Sequence, residues 1–284
     1  MMRRFALVSV VLIATATIGA VTAASAPQDS PVIVAAGDIS IAGGAQGATA
    51  ATIASIDPDA VLPLGDNQYP TGSLADFETY YDPTWGAFLS ITNPAPGNHE
   101  YLTENAEGYF DYFGIRAPGE YYSYDVGAWH LISLNSEIAH SVHSAQVTWL
   151  LSDLQEHEQR CVLAYWHKPR FSSGHNGNYS SMQPFWAALA KAHAEVVLVG
   201  HDHDYERFAP MDIHGKAVVS GIREFVVGTG GAALEEFEDI KANSLVRNNT
   251  DHGVLELTLN PRNYQWIFQS SDGSFTDQGS ASCH

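Results

Sequence analysis

The first half of the chain alternates short apolar runs with segments of helical composition. Pro31–Asp38 and Ala60–Asp66 are apolar and end in a Gly-Asp turn, which predicts two strands. Gly47–Ile56 is predicted to be a helix, as is Leu74–Leu89, whose Phe, Tyr and Trp residues would share one side. Strands that alternate with helices imply right-handed parallel crossovers. The turns that follow these strands are therefore expected at the C-terminal edge of one sheet.

The second half repeats this plan with more antiparallel character. Tyr121–Asp125 and Trp129–Asn135 are predicted to form a hairpin around Gly127. Ser144–His157 has apolar residues at helical spacing, so an amphipathic helix is expected there. The other predicted elements are a helix at Met182–His193, strands at Cys161–Trp166, Val196–Gly200 and Glu224–Val227, and a closing hairpin of Gly253–Leu259 and Tyr264–Gln269.

Five short blocks at the ends of hydrophobic runs combine a turn with oxygen or imidazole donors. They are Gly37–Ser40, Gly65–Tyr69, Gly97–Glu100, Trp166–Pro169 and Gly200–His203. Such donors bind Fe, Mn and Zn, and two ions about 3.5–4 Å apart would clamp both reacting oxygens of a phosphoryl displacement. One Gly-Asp turn alone is usually a cap, and a lone tyrosine is usually a packing residue. Five blocks in order favour a two-metal site.

The blocks resemble those of the calcineurin-like metallophosphoesterase superfamily, and more narrowly its purple acid phosphatase branch. That superfamily usually begins with Asp-x-His, whereas this chain has Asp38-Ile39-Ser40. In the purple branch a tyrosine three residues after the second aspartate replaces that histidine, and Tyr69 stands at this position after Asp66. The resemblance extends from Asp38 to Arg207. It implies an α/β fold, a four-layer αββα sandwich of two mixed sheets with flanking helices.

The resemblance also implies two metal sites that share the carboxylate of Asp66. The first ion would be held by Asp38, Asp66, Tyr69 and His203, and the second by Asp66, Asn98, His167 and His201. A phenolate with two carboxylates is a hard donor set, so Fe(III) is expected in the first site. A divalent Zn, Mn or Fe ion is expected in the second.

The expected reaction is hydrolysis of a small phosphomonoester by metal-bound hydroxide, since a metal lowers the pKa of its water toward roughly 7. His99, next to Asn98, is expected to protonate the leaving oxygen. The purple branch also uses a histidine in the loop after the fourth block, and His175 is the local candidate. Two alternatives remain open. They are a phosphodiesterase or nucleotide hydrolase with the same metals, and a non-catalytic secreted protein that binds metal or phosphate.

The N-terminus indicates secretion. Arg3 and Arg4 precede the uncharged apolar stretch Phe5–Val21 and a run of small residues, so residues 1–26 are expected to be a cleavable signal rather than a membrane anchor. Residues 27–284 would then form a single domain. They contain no second apolar stretch of spanning length, so no membrane association is expected after cleavage.

Net charge limits the kinds of binding partner that are expected, and the cysteines indicate the compartment. Loss of Arg3 and Arg4 changes the net charge from −19 to −21, because 11 basic residues then oppose 32 acidic ones. Nucleic-acid binding is not expected, since it requires a basic face. Cys161 and Cys283 are predicted to form a disulfide in an oxidising compartment, with two free thiols as the alternative.

Overall fold

The computed structural model describes residues 30–157 and 161–284, so the predicted signal lies outside the described residues. The strands of this part of the chain form two mixed sheets. The first has the order β12-β11-β10-β1-β2. Its strands are β1 (Val32–Ala36), β2 (Ala60–Pro63), β10 (Gly253–Asn260), β11 (Asn263–Ser270) and β12 (Thr276–Ser282). Only the β1–β2 pair is parallel in this sheet.

The second sheet has seven strands in the order β3-β4-β5-β6-β8-β7-β9. They are β3 (Tyr122–Val126), β4 (Trp129–Ser133), β5 (Cys161–Tyr165), β6 (Val196–Val199), β7 (Tyr205–Phe208), β8 (Arg223–Val227) and β9 (Ser244–Asn248). The four central strands β4, β5, β6 and β8 are parallel, and the outer pairs are antiparallel. The predicted hairpin at the start of this half is confirmed.

Helices cover both sheets on their outer sides. The α-helices are α1 (Gln46–Ile56), α2 (Leu74–Asp76), α3 (Glu107–Phe113), α4 (Ala145–Glu156) and α5 (Gln183–Lys191). The start of α4 is fixed by Ser144, whose hydroxyl accepts a 3.2 Å hydrogen bond from the Val147 N–H. Such a cap satisfies one of the free N–H groups at a helix N-terminus.

The prediction of one helix over Leu74–Leu89 is wrong. Only α2 is α-helical, Phe77–Tyr81 is a π-helical turn, and Trp85–Ile91 is a 3-10 helix. Pro83 explains the break, because proline lacks an N–H and its ring clashes with the preceding turn of a helix. The aromatic side chains are nevertheless buried as a group, which is why their spacing indicated a helix.

Side chains alternate between two hydrophobic cores along the central strands. On β5, Leu163 and Tyr165 face the core between the sheets, whereas Val162 and Ala164 face the helices α4 and α5. The same continuous cluster of buried residues extends to Ile53 of α1, the helix that covers the five-stranded sheet. The predicted four-layer αββα arrangement is therefore confirmed.

The predicted disulfide is also confirmed. Cys161 at the start of β5 is bonded to Cys283, with 5.8 Å between the two Cα atoms. This bond attaches the C-terminal end of the described chain to the seven-stranded sheet. Within residues 30–157 and 161–284, no helix has both the length and the apolar character that a membrane crossing requires.

The ligand turns of the first half lie at one edge of the first sheet, as expected from its parallel strands β1 and β2, and the second sheet supplies further ligand turns. Asp38 follows β1 and Asp66 follows β2 of the first sheet, whereas His167 and His201 follow β5 and β6 of the second. Strand and helix alternation in the sequence does not reveal that a new sheet begins at β3. The two edges are joined where the Gly37 N–H donates a 2.8 Å hydrogen bond to the Val227 carbonyl, at the end of β8.

Candidate metal centre

The first predicted ligand set converges around the phenol of Tyr69. Its Oη lies 2.8 Å from Asp38 Oδ1, 3.1 Å from Asp66 Oδ2 and 3.0 Å from His203 Nε2. His203 Nε2 is in turn 3.3 Å from Asp38 Oδ1. Metal–ligand bonds of about 2.0–2.2 Å place donors at right angles about 3 Å apart. The spacing therefore fits donors around one ion. Asp38, Tyr69 and His203 are called the phenol group below.

The second predicted set converges around His167. Its Nε2 lies 3.2 Å from Asp66 Oδ2 and 3.1 Å from His201 Nδ1. Asn98 Oδ1 is buried and has no hydrogen-bond partner among the described residues, which suits an oxygen that binds a metal. Asn98, His167 and His201 are called the imidazole group below. Asp66 Oδ2 faces both groups, in the position predicted for a bridging carboxylate.

The remaining oxygens of the two aspartates are held by backbone N–H groups. Asp38 Oδ2 accepts a 2.8 Å hydrogen bond from His201 N, and Asp66 Oδ1 accepts one of 2.8 Å from His99 N. Each carboxylate therefore presents its other oxygen to the centre. These bonds also connect turns that are far apart in the sequence.

Two of the imidazoles are oriented by backbone carbonyls. His167 Nδ1 lies 3.0 Å from Leu64 O, and His203 Nδ1 lies 2.7 Å from Ala233 O. A carbonyl only accepts hydrogen bonds, so Nδ1 carries a proton and Nε2 is the nitrogen that faces the centre. A second nitrogen bound in this way is a regular feature of metal-binding histidines.

The third imidazole has the opposite orientation. His201 presents Nδ1 to the centre, while its Nε2 lies 2.7 Å from the hydroxyl of Tyr179. Tyr179 belongs to the segment between β5 and α5. Residue spacing did not indicate this contact.

The backbone of the ligand turns is conformationally unusual. Asp38, Asp66 and His201 have φ values of 58°, 45° and 73°, in the left-handed region that residues with a side chain rarely adopt. The turns also need glycine: a Cβ on Gly200 would lie 2.6 Å from Asp38 Oδ2, and one on Gly97 would overlap Asp66. Strain of this kind is concentrated at functional sites.

Charge coupling dominates the electrostatics of the centre. Burial raises the pKa of Asp66, but the adjacent His167 more than offsets this and holds it well below its usual range. Burial opposes protonation of His167, yet the Asp66 carboxylate raises its pKa to about 10. Burial, and then the charges of Asp38 and Asp66, raise the pKa of Tyr69 well above 10. His167 and Tyr69 thus keep their protons, which a cation must displace in order to bind there.

His99 lies at the edge of the centre, as expected from its position beside Asn98. Its ring centroid is 4.2 Å from that of Tyr69, and its Nε2 is 3.7 Å from Asp66 Oδ2. Nδ1 is hydrogen-bonded to Pro70 O. The side chain is 29% exposed, so Nε2 lies beside the metal ligands on a ring that solvent reaches.

His175 is placed differently. Its side chain is 59% exposed, and Nδ1 lies 2.7 Å from Glu238 Oε1. The neighbouring Asn176 attaches this loop to the fifth block, with its N–H donating to Asp202 Oδ1 and its side-chain amide to His201 O. The loop therefore lies beside the centre, while the His175 ring pairs with a surface carboxylate. Its catalytic role stays a prediction.

Glu100 is a site residue whose role the sequence analysis did not recognise, although it closes the third block. Its carboxylate is fully buried and accepts hydrogen bonds from Gln68 N at 3.1 Å and Gly97 N at 2.7 Å. Burial raises its pKa to about 8. Glu100 thereby joins the second and third ligand turns. An acidic residue directly after two donor residues was the available signal.

Comparison with known proteins shows the family to which the chain belongs. The model of the calcineurin-like phosphoesterase family matches residues 31–205, which include every predicted metal ligand. The chain belongs to this family. Its members bind two metal ions, in agreement with the two ligand sets that share Asp66.

Curated relatives of the chain confirm the resemblance to purple acid phosphatases. Purple acid phosphatase 21 of Arabidopsis thaliana is 28% identical over 187 residues, which cover 56% of this chain and 42% of the relative. Human acid phosphatase type 7 is 28% identical over 218 residues, 63% of this chain and 49% of the relative. The probable inactive purple acid phosphatase 1 of Arabidopsis thaliana is 24% identical, over 77% of this chain and 42% of the relative. The chain thus spans less than half the length of these relatives.

Solved structures share the fold. A purple acid phosphatase from yellow lupin seeds aligns with a TM-score of 0.74 at 21% identity, covering 90% of this chain and 55% of its own. GAP50, the anchor in the inner membrane complex of Plasmodium, aligns with a TM-score of 0.68 at 15% identity, covering 88% of each chain. The same architecture therefore occurs in a phosphatase and in a protein described as an anchor.

Proposed function

We propose that this chain is a secreted phosphatase that hydrolyses phosphomonoesters with two metal ions. The observation that carries the proposal is the convergence of two donor sets on Asp66 Oδ2, each with the spacing that one ion requires. The hard donors of the phenol group favour Fe(III), and the imidazole group favours a divalent Zn, Mn or Fe ion. Relatives named acid phosphatases support the phosphomonoester as the substrate class.

When bound, two metal ions would supply an activated water and would neutralise charge on the phosphate oxygens. The contribution of the chain is to fix the donors and to move a proton. Because Pro70 O holds a proton on His99 Nδ1, a further proton on Nε2 makes the ring an acid beside the centre. We infer that Nε2–H donates this proton to the leaving oxygen.

The proposed substrate is a small phosphate ester rather than a nucleic acid. The net charge of −19 opposes binding of a long polyanion. It does not oppose a small ester, because bound cations are the largest local charges in such a site. The disulfide and the purple acid phosphatase relatives support secretion, since disulfides persist in oxidising compartments.

The proposal is tested by metal analysis and a pair of substrates on one preparation. Purified protein is expected to contain two metal ions per chain and to hydrolyse p-nitrophenyl phosphate faster than bis(p-nitrophenyl) phosphate. Faster hydrolysis of the bis-ester would favour the phosphodiesterase instead. Two bound ions without turnover of either ester would favour the non-catalytic alternative, for which one relative named inactive and the structural likeness to an anchor protein are precedents.

A further inference from the structure

Tyr179 is the residue that holds the outer nitrogen of the third imidazole. Backbone carbonyls accept from the outer nitrogens of His167 and His203, so the fold itself fixes those rings. The outer nitrogen of His201 faces a side-chain hydroxyl, at 2.7 Å. The orientation of the His201 ring therefore depends on a side chain, which a substitution can change, and not on the backbone.

Proton placement decides what this contact does. A neutral imidazole carries one proton, and its other nitrogen has the lone pair that binds a metal. His201 Nδ1 faces the centre, 3.1 Å from His167 Nε2, so for ligation the proton must be on Nε2. Tyr179 Oη is then the acceptor of the Nε2–H. If the hydroxyl donated to Nε2 instead, Nδ1 would carry the proton and could not bind an ion.

We propose that Tyr179 is a positioning residue for the second metal ion. Its hydroxyl oxygen accepts the Nε2–H of His201, which selects the tautomer and the ring orientation that present Nδ1 to the ion. This inference rests on the two-metal centre of the proposed function. It adds a contact made by a residue outside the five ligand blocks.

Tyr179 is held well enough to orient another residue. Its backbone N–H donates a 3.0 Å hydrogen bond to the carbonyl of Pro169, the last residue of the fourth block. Its ring lies 5.1 Å from the His201 ring at 73°, and Lys168 Nζ lies 5.7 Å from the Tyr179 centroid. Lys168 is itself paired with Glu137 at 2.6 Å. The ring contacts do not require the hydroxyl, so its removal leaves them in place.

The test is Tyr179→Phe, which removes only the hydroxyl. Zn²⁺ is added to metal-depleted protein, and its binding is measured by competition with a chromophoric chelator. Wild type is expected to bind two ions, and the variant to bind one of them 10–100-fold more weakly, the usual effect of losing a partner of a metal-binding histidine. The ion that Tyr179→Phe binds more weakly should be the same ion that His201→Ala fails to bind. Tyr112→Phe is the matched control, since its hydroxyl bonds to the exposed side of Asp82 at 2.9 Å, away from the centre.

A second readout detects the hydrogen bond itself. In the zinc-loaded wild type, the Nε2–H proton of His201 should be visible by NMR and protected from solvent exchange, and Tyr179→Phe should lose this protection. Unchanged zinc affinity of Tyr179→Phe, or equal weakening of both binding steps, would overturn the inference. Fewer than two zinc ions in wild type would instead overturn the proposed function and, with it, the premise of this inference.

Discussion

The two ends of strand β5 have opposite properties. At its N-terminal end, Cys161 is covalently bonded to Cys283, and the Val162 N–H donates a 2.6 Å hydrogen bond to the buried carboxylate of Glu195. At its C-terminal end the strand leads into His167, beside ligands with left-handed backbones and an unpartnered Asn98 oxygen. One end thus contains the disulfide that stabilises the fold, whereas the other contains the strained turns and buried donor groups of the candidate centre.

The difference indicates that stability and function are separated along the strand. Ligand geometry at the C-terminal end requires conformations and buried charges that destabilise the metal-free chain. The disulfide end can offset this because it lies outside the ligand turns. Substitutions at the C-terminal end should therefore change metals and activity, and those at the N-terminal end should change stability alone.

Asp66→Ala is expected to have the largest effect, since Asp66 Oδ2 faces both donor groups. Both metal ions and all activity should be lost, as measured by elemental analysis and p-nitrophenyl phosphate hydrolysis. His193→Ala is the control and should keep the wild-type metal content, because His193 belongs to neither donor group. Near-wild-type metal content in Asp66→Ala would refute the bridging assignment.

Tyr69→Phe tests the phenol group separately. If Tyr69 binds Fe(III) as a phenolate, the purified wild type absorbs visible light by charge transfer, and the variant should lose that band. Absorption spectra together with iron content decide the question. A colourless wild type that contains a full complement of iron would be incompatible with the assigned ligand.

His99→Asn should lower kcat by about 10²–10⁴-fold, the usual cost of losing a general acid, while both metals remain. The loss should be greater for alkyl phosphates than for p-nitrophenyl phosphate, whose leaving oxygen hardly needs a proton. Kinetics with both substrates and metal analysis measure this. If hydrolysis of both substrates slows equally, His99 orients the phosphate or supports the metals, and His175 becomes the better candidate for the acid.

The double variant Cys161→Ala/Cys283→Ala tests the other end of the strand. The cysteines are 122 residues apart, and a loop of that size corresponds to at most about 4–5 kcal/mol in the chain-entropy model. The free energy of unfolding in denaturant should fall by up to this amount, with the metal content of the folded protein unchanged. Loss of metal from the folded variant would contradict the separation of the two ends.

Glu195→Gln should have the smallest effect, and it depends on pH. Burial raises the pKa of Glu195 to about 7 in the folded protein, against an ordinary value of 4.5. A raised carboxyl pKa means that wild type loses stability as pH rises from about 4.5 through 7. The variant should lack this loss. The difference in unfolding free energy between variant and wild type should therefore be about 1–3 kcal/mol more in favour of the variant at pH 8 than at pH 4.5. Parallel pH profiles of the unfolding free energy would show that Glu195 is not the group responsible.

The sequence indicated where the candidate ligand turns lie, because each turn comes at the end of an apolar run. It did not predict β12, since Thr276–Ser282 is polar and becomes a strand only by pairing with β11 at the sheet edge. The prediction of a helix over Leu74–Leu89 was wrong because it relied on the spacing of the aromatic residues, whereas Pro83 prevents a continuous helix. Tyr179 was missed because its contact with His201 arises from the tertiary fold, which residue spacing does not encode.

The left-handed backbones of Asp38 and Asp66 have a consequence for relatives that have lost catalysis. Glycine adopts such a conformation without a steric penalty, so replacing either aspartate by glycine removes strain and buried charge at once. Without selection for metal binding, these two positions should drift toward glycine earlier than the core strands change. Glycine at these two turns in an otherwise intact homologue would therefore mark a protein that has lost metal binding and catalysis.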